Sequence, residues 1–366
     1  MVIFFNKAGT IFEPEGQRLS LREKLMWKKI AQLHRTIAPE LISLIEERYD
    51  ILRHIQYAEP VGRRALAIIL QKGERFVRAQ VEFLKKAGLV DFSPMGMTLT
   101  PVGQLIQIDL AAYIKVLHGL TLLEAELSEK LGIDQVIIIP GDSEADPMVL
   151  RELGRATANV LDRYLKDNNM IVAVSGGTVM ANVAEAIYFS RPSITVVPAR
   201  GGLGEQVEYQ ANTIAATMAT KLGGKYRMLH IPDGISEEMM DAMLIDNSNI
   251  HSVSEMIKQA NVLIHGIGQA RQMAVRRGCD EEFVNKLIES GAVGEALGHY
   301  CTLTGENSYI TSSVGLQLDN LADIGLVIAV AGGQHKAEAI IAVTSAGGPD
   351  VLITDESAAR TIQSII

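Results

Sequence analysis

Four short segments of the 366-residue chain carry residue types suited to holding an anion. The first is Ser175-Gly176-Gly177-Thr178, which follows the apolar run 171–174 and precedes a helical pattern from about Val179. A glycine turn at a helix start offers a phosphate backbone N–H groups, a hydroxyl and the positive end of the helix dipole. It matches neither the dinucleotide fingerprint nor the phosphate-loop lysine pattern, so no nucleotide is implied. The second is Val197-Pro-Ala-Arg200-Gly-Gly-Leu-Gly204, where glycine-flanked Arg200 suits a bidentate phosphate fork, followed by a helix expected over 205–219 that carries Gln210. The third, 262–268, has His265 and Gln269 at its end and Arg276 beyond. The fourth is Gly332-Gly333-Gln334-His335-Lys336, entering another helix. A lysine at a helix start is electrostatically unfavourable unless an anion sits there. Taken singly, each cation reads equally well as a solvated surface charge. Three in equivalent positions beside a Ser-Gly-Gly-Thr turn point to a phosphorylated small molecule.

Loops of this kind need a sheet to hold them. Val/Ile-rich runs at 135–140, 171–174, 194–197, 227–231, 262–265 and 326–331 alternate with helical segments. That alternation predicts an α/β domain, a doubly wound parallel sheet with helices on both faces, over residues 132–366. In such a sheet the strand-to-helix loops lie together at the carboxyl edge, where ligands bind.

The N-terminal part has a different texture. Pro39 opens an amphipathic stretch, 40–57, followed by a helical run at 61–71 and a second helix at 74–87. On that last helix Phe76, Val77, Val81, Phe83, Leu84 and Ala87 are read as the apolar side, with Arg75, Arg78, Ala79, Glu82 and Lys86 opposite. Two short strands, 89–92 and 97–100, flank Ser93-Pro94-Met95-Gly96 as a hairpin. Three helices and a hairpin over 39–100 form a winged helix-turn-helix pattern, with Arg75 and Arg78 as candidates for base edges and Arg63, Arg64, Lys85 and Lys86 for further DNA contact. Glu82 on the same face would repel phosphate or accept from a cytosine amino group. Residues 101–131 read as a linker helix, interruptible at Gly119 and a possible dimer seam; residues 1–38 are unassigned.

Charge divides along the same line. The chain as a whole carries −9, yet residues 1–118 hold seventeen Lys and Arg against twelve Asp and Glu, whereas residues 119–366 hold seventeen against thirty-one. A basic head on an acidic body suits one domain that meets phosphates and another that keeps the protein soluble. With 48% hydrophobic and 21% charged residues the composition excludes disorder as the main state. The longest apolar run, 324–333, is too short to span a membrane. The start MVIFFNKAGT lacks a secretory pattern, and two cysteines, Cys279 and Cys301, make no disulfide framework, so the cytoplasm is the expected compartment.

Several blocks then form an ordered series. They are Gly62-Arg-Arg-Ala-Leu66, Glu74-Arg-Phe-Val-Arg78, Phe83-Leu-Lys-Lys-Ala-Gly-Leu-Val-Asp91 and Gly96-Met-Thr-Leu-Thr100, then Gly141-Asp-Ser143, Ser175-Gly-Gly-Thr178, Val197 to Glu205, His265-Gly-Ile-Gly268 and Ala329-Val-Ala-Gly-Gly333. Over residues 39–366 this series resembles the SorC family of bacterial transcriptional regulators. The resemblance implies a winged-helix DNA-binding domain joined to a phosphosugar-binding domain of the isomerase-like Rossmann type. It implies a repressor of central glycolytic genes that binds operator DNA as a homodimer or tetramer, with no cofactor, no metal and no membrane. The implied effector is a sugar phosphate, fructose-1,6-bisphosphate in the members most like this chain. Its ligand shell would be Gly176, Gly177, Thr178, Arg200, Gln210, Arg276, Glu295 and Lys336, with Glu295 accepting sugar hydroxyls while the cations hold phosphates. Where those members have a second threonine this chain has Val179, which offers no hydroxyl, so a regulator of another sugar pathway sensing a monophosphate is the alternative.

Two rivals come from other classes. A sugar-phosphate isomerase or deaminase would use His265, Glu295 and His335 for acid-base work, but these histidines show no partner arrangement and an enzyme has no need of a basic winged head. A metal sensor through His265, His299 and Cys301 lacks close ligand spacing.

Overall fold

A computed structural model describes residues 29, 30, 32–166, 169–202, 206–231 and 237–366, with the chain falling into two compact units that divide between Thr121 and Leu122. Residues 1–28 of the unassigned N-terminal segment lie outside the described residues, as do Leu203, Gly204 and Glu205 of the Arg200 loop. No single described helix is long and apolar enough to cross a membrane.

In the N-terminal unit, helix α1 (Pro39–Ala58) starts at a proline, whose fixed φ suits a first helical turn. It buries Ile51, Leu52 and Ile55 against α2 (Arg63–Ile69) and α3 (Glu74–Lys86). Val77, Val81 and Leu84, at four- and three-residue spacing, form the inner stripe of α3. Phe83 and Ala87 are exposed, contrary to the periodicity reading. Phe83 lies a full 100° back from Leu84 around the helix, and the Arg48 guanidinium covers its ring at 3.7 Å. Strands β1 (Val90–Ser93) and β2 (Gly96–Leu99) pair antiparallel around Pro94 and Met95. Gly96 has φ +141°, and a Cβ there would meet Val61 N at 2.8 Å, so only glycine closes this wing. Helix α4 (Pro101–Leu117) is capped by the Thr100 hydroxyl, which accepts from Gly103 N at 2.9 Å. The chain breaks at Gly119 (φ +72°) before α5 (Leu120–Leu131).

In the C-terminal unit a seven-stranded sheet runs in the order β3-β13-β12-β7-β4-β5-β6, every neighbour parallel. Its strands are β3 (Gln135–Ile139), β4 (Ile171–Val174), β5 (Thr195–Pro198), β6 (Lys225–Tyr226), β7 (Val262–Gly266), β12 (Leu326–Val330) and β13 (Val351–Asp355). Helices α6 (Pro147–Tyr164), α7 (Thr178–Glu185) and α8 (Ala211–Leu222) pack on one face around Leu153, Leu161, Met180, Val183, Ile214 and Met218. A second sheet, β8 (Gly268–Gln269), β9 (Ala292–Ala296), β10 (His299–Thr302) and β11 (Asn307–Ile310), is antiparallel.

Three expectations are corrected. The strand read at 227–231 is absent, and the edge strand is only Lys225–Tyr226, because the chain turns away after Arg227 N bonds to Val196 O. The helix read over 205–219 begins at Ala211, so Gln210 is its N-cap residue, preceded by a 3-10 turn Val207–Tyr209. Strand β13 was not among the expected strands. Its residues, Val351-Leu-Ile-Thr-Asp355, are buried on both faces, so no apolar–polar alternation marks them.

Asp355, at the carboxyl end of β13 and fully buried, fastens three segments. Its Oδ2 accepts from Ser143 N (2.8 Å), Ser143 Oγ (2.5 Å) and Gly333 N (2.7 Å), while Oδ1 caps Ala358 N (2.9 Å) at the start of the last helix. Removing one acceptor strands four buried donors. Asp355→Ala is expected to lower unfolding free energy by about 3 kcal/mol or more, read as a drop in thermal midpoint; an unchanged midpoint would show that water replaces the carboxylate without loss.

Candidate effector site and DNA-binding face

Winding reverses between β4 and β7: from β4 the chain proceeds outward to β5 and β6, and from β7 it proceeds the other way to β12 and β13. Ligand crevices open at such a switch, beyond the carboxyl ends of the strands. Here a cavity of about 680 Å³ opens there, lined by Gly176, Gly177, Thr178, Arg200, Arg276, Glu295 and Lys336 among others. Seven of the eight residues expected to hold the effector thus converge, from four strand ends and from β9. Gln210 is the exception: its neighbours Tyr209 and Ala211 line the cavity and it does not.

The glycine turn is fixed from both sides. Ser175 N donates to Ile264 O (3.0 Å), and Gly266 N donates to Ser175 Oγ (3.0 Å), tying β4 to β7 across the switch. Gly177 (φ +120°) turns the chain into α7, and its N–H is already given to Tyr209 O at 2.8 Å. The turn therefore offers fewer backbone donors than its sequence suggests, leaving Thr178 and the α7 N-terminus for an anion. Val179 is 7% exposed and its Cγ1 would stand 3.7 Å from a Cβ at Gly266, so this position packs the two loops together.

Arg200 is only 8% exposed. Its Nη2 donates to Thr311 O at 3.5 Å, and its guanidinium lies so close to Gly298 that any Cβ there would collide with it. Gly298 follows Leu297 in the two-residue turn joining β9 to β10, both at positive φ (+83° and +50°), the pattern of a tight hairpin. On the opposite side Lys336 caps the turn leading into helix α13 (Ala337–Gly347). Burial, then the nearby charge of Arg276, hold its ammonium below the usual lysine range, with Asp355 opposing. Two cations that disfavour each other in a recess are the signature of a site that expects an anion.

The remaining titratable groups are committed to structure. His265 is fully buried, its Nδ1 against Gly266 O at 3.0 Å, and desolvation keeps it neutral below the usual histidine range. His299 is likewise held down by burial; its Nε2 accepts from Leu318 N at 3.3 Å. His335 pairs with Glu144, and Cys301 is buried with its thiol pushed up to about 11. Among the described residues no three metal-ligating side chains come together. Sequence reasoning missed Glu144, Tyr209 and Arg277. Glu144 follows a strand end and was accessible to the edge-loop rule; Tyr209 acts through a carbonyl, which no side-chain pattern reveals.

On the N-terminal unit Arg75, Arg78 and Lys86 are exposed along one face of α3. Arg63 Nη1 lies 3.7 Å from Glu82 Oε1, and Arg64 Nε 3.5 Å from Glu74 Oε2, so both α2 arginines rest on carboxylates of α3. Glu82 is thereby partnered rather than bare. Lys85 Nζ sits 4.6 Å over the Phe92 ring, away from that face.

A basic winged helix joined to a crevice at a sheet's switch point defines a ligand-responsive transcriptional regulator. The comparisons agree: residues 44–114 match the family model "CggR N-terminal DNA binding domain", and residues 116–364 match "Putative sugar-binding domain". The chain is 42% identical to the Central glycolytic genes regulator of Priestia megaterium over 92% of this chain and 98% of that protein, and 41% identical to the one of Bacillus subtilis over 91% and 98%. The structure of "the putative SorC family transcriptional regulator from Enterococcus faecalis" matches at 39% identity and TM-score 0.62, covering 66% of this chain and 99% of that one. The chain belongs to the SorC family of transcriptional regulators. These relatives are regulators, not enzymes, and the enzymatic rival falls with that placement.

An anion that restores the Lys336 proton takes one up on binding. Uptake is expected between the depressed value and the ordinary 10.5, so anion affinity falls as pH rises through that window. Calorimetry in buffers of different ionisation enthalpy reads this. In Lys336→Met the uptake should vanish and phosphosugar affinity fall about tenfold to a hundredfold; uptake persisting in the variant would assign it to another group.

Proposed function

We propose that the chain is a repressor of central glycolytic genes whose hold on operator DNA is set by a phosphorylated sugar, fructose-1,6-bisphosphate first among the candidates. The observation that carries this reading is the meeting of Arg200, Arg276, Lys336 and the Thr178 turn in one cavity of about 680 Å³ that a carboxylate, Glu295, also lines. Cations match phosphates and the carboxylate matches hydroxyls. The names of the Priestia and Bacillus relatives support the gene class. Arg75 and Arg78 would read base edges, and Arg63, Arg64, Lys85 and Lys86 would meet the backbone of a cytoplasmic operator. Two heads at fixed half-site spacing require at least a homodimer, and effector binding would act by linkage, favouring one arrangement of the assembled heads.

A second reading, a regulator of another sugar pathway sensing a monophosphate, draws on Val179, whose buried isopropyl group supplies no donor to a phosphate.

Thermal midpoints against fructose-1,6-bisphosphate, fructose-6-phosphate, glucose-6-phosphate and dihydroxyacetone phosphate separate the two. A ligand at 100 times its Kd adds about 2.7 kcal/mol. A shift with the bisphosphate alone is expected; a shift with a monophosphate alone would favour the second reading, and none at all would sink both. Arg75→Ala and Arg78→Ala should each weaken operator binding by about 1–3 kcal/mol while the sugar-phosphate shift stays. Loss of both activities in a folded variant would overturn that division of labour.

A further inference from the structure

Arg277 is the residue beside the anion site whose charge the reading above does not use. It follows α11 (Ala270–Arg276), where its backbone N–H caps the helix on Met273 O and Ala274 O at 3.1 Å. It lines the cavity beside Arg276, but its guanidinium is committed to protein partners. Its side chain is 7% exposed; Nη2 donates to Glu295 Oε1 at 2.8 Å and Nη1 to the Tyr300 hydroxyl at 2.7 Å. Both ends of the guanidinium fork are thus committed, and the Tyr300 phenol beneath it is buried, its pKa pushed up to about 12 by that burial.

Glu295 divides its two oxygens. Oε1 takes Arg277 and also Gly298 N at 2.7 Å, the latter from the turn that packs on Arg200. Oε2 accepts nothing among the described residues and faces Gly268, a cavity residue where a Cβ would stand 3.7 Å away. A carboxylate with one oxygen filled from behind and the other open to a cavity accepts hydrogen bonds from hydroxyls and repels phosphate oxygens.

We infer that Arg277 is a positioning residue: by occupying Glu295 Oε1 it locks Oε2 toward the cavity, making this end of the site select a hydroxyl-bearing segment between the phosphates. The inference rests on the sugar-phosphate reading of the cavity and adds to it the residue that sets selectivity. Truncating Arg277 leaves Oε1 held by Gly298 N alone, loosens the carboxylate, and weakens the preference while the phosphate-binding cations stay in place.

Binding of fructose-1,6-bisphosphate and of hexane-1,6-diyl bisphosphate, which has two phosphates and no hydroxyl, to the full chain tests this. Wild type is expected to prefer the sugar. Arg277→Met should lose about tenfold or more for the sugar and change little for the diol bisphosphate. Arg277→Lys, keeping one charged donor to Oε1, should recover part of the preference. Because Arg277→Met leaves a buried carboxylate alone, Arg277→Met with Glu295→Gln is measured beside Glu295→Gln by itself; equal ratios are expected, since the arginine acts only through the carboxylate. Equal losses for both ligands in Arg277→Met, or additive effects in the double variant, overturn the inference. Wild type that binds neither compound overturns the fructose-1,6-bisphosphate reading on which the inference rests, and wild type that binds both equally overturns the selectivity inference alone.

Discussion

The reversal of winding between β4 and β7 governs the rest of the molecule. Crossovers on the two sides of this point run in opposite directions, so no helix closes the gap above it, and the backbone ends of two adjacent strands stand open. The Ser175 hydroxyl and the Ile264 carbonyl knit those ends together. Every group in the cavity is delivered relative to that seam: the Thr178 turn by β4, Arg200 by β5, Arg276 and Glu295 by the excursion after β7, and Lys336 by β12.

Gathering cations in one recess is costly, and the surrounding structure shows where that cost is offset. Arg277 is neutralised by Glu295 and His335 lies against Glu144, whereas Lys336 is held below its ordinary range by burial and Arg276. The like-charge cost is therefore concentrated on Lys336, beside Arg276. That bias is what allows an anion to do work on the protein: its differential affinity is the free energy available to shift an equilibrium. Asp355 supplies the mechanical counterpart, since one buried carboxylate holds the β3 loop, the Gly333 loop and the last helix in a single hydrogen-bonded set.

The basic unit solves a different problem with fewer residues. A small core of Leu52, Ile55, Leu66, Val77, Val81 and Leu84 fixes α2 against α3, and the wing is closed by a glycine that no other residue can replace. Carboxylates at Glu74 and Glu82 hold Arg64 and Arg63 against α3. Exposed pairs of this sort are weak, so phosphates can take the arginines over at little cost.

Much of this was legible in order along the chain. Helix stripes, the Pro94-Met95 turn, the glycine loops and the split of charge are local signals, with spacing that reports directly which face is buried or which turn is possible. From them came the winged head, the doubly wound sheet and the loops bearing Thr178, Arg200, Arg276 and Lys336, whereas Glu295 was expected only through the family resemblance. Local pattern also misled in local ways: Phe83 looked like core until its position around α3 left it outside, and 227–231 looked like a strand until the chain turned off the sheet. What only the tertiary structure decided were the long-range partnerships. Gly177 gives its N–H to Tyr209, Asp355 fastens Ser143 from 212 positions away, and Arg277 turns to Glu295 rather than to the ligand. A hydrogen bond between distant segments leaves no period or spacing in the sequence, because its two halves are brought together only by the order in which the strands assemble.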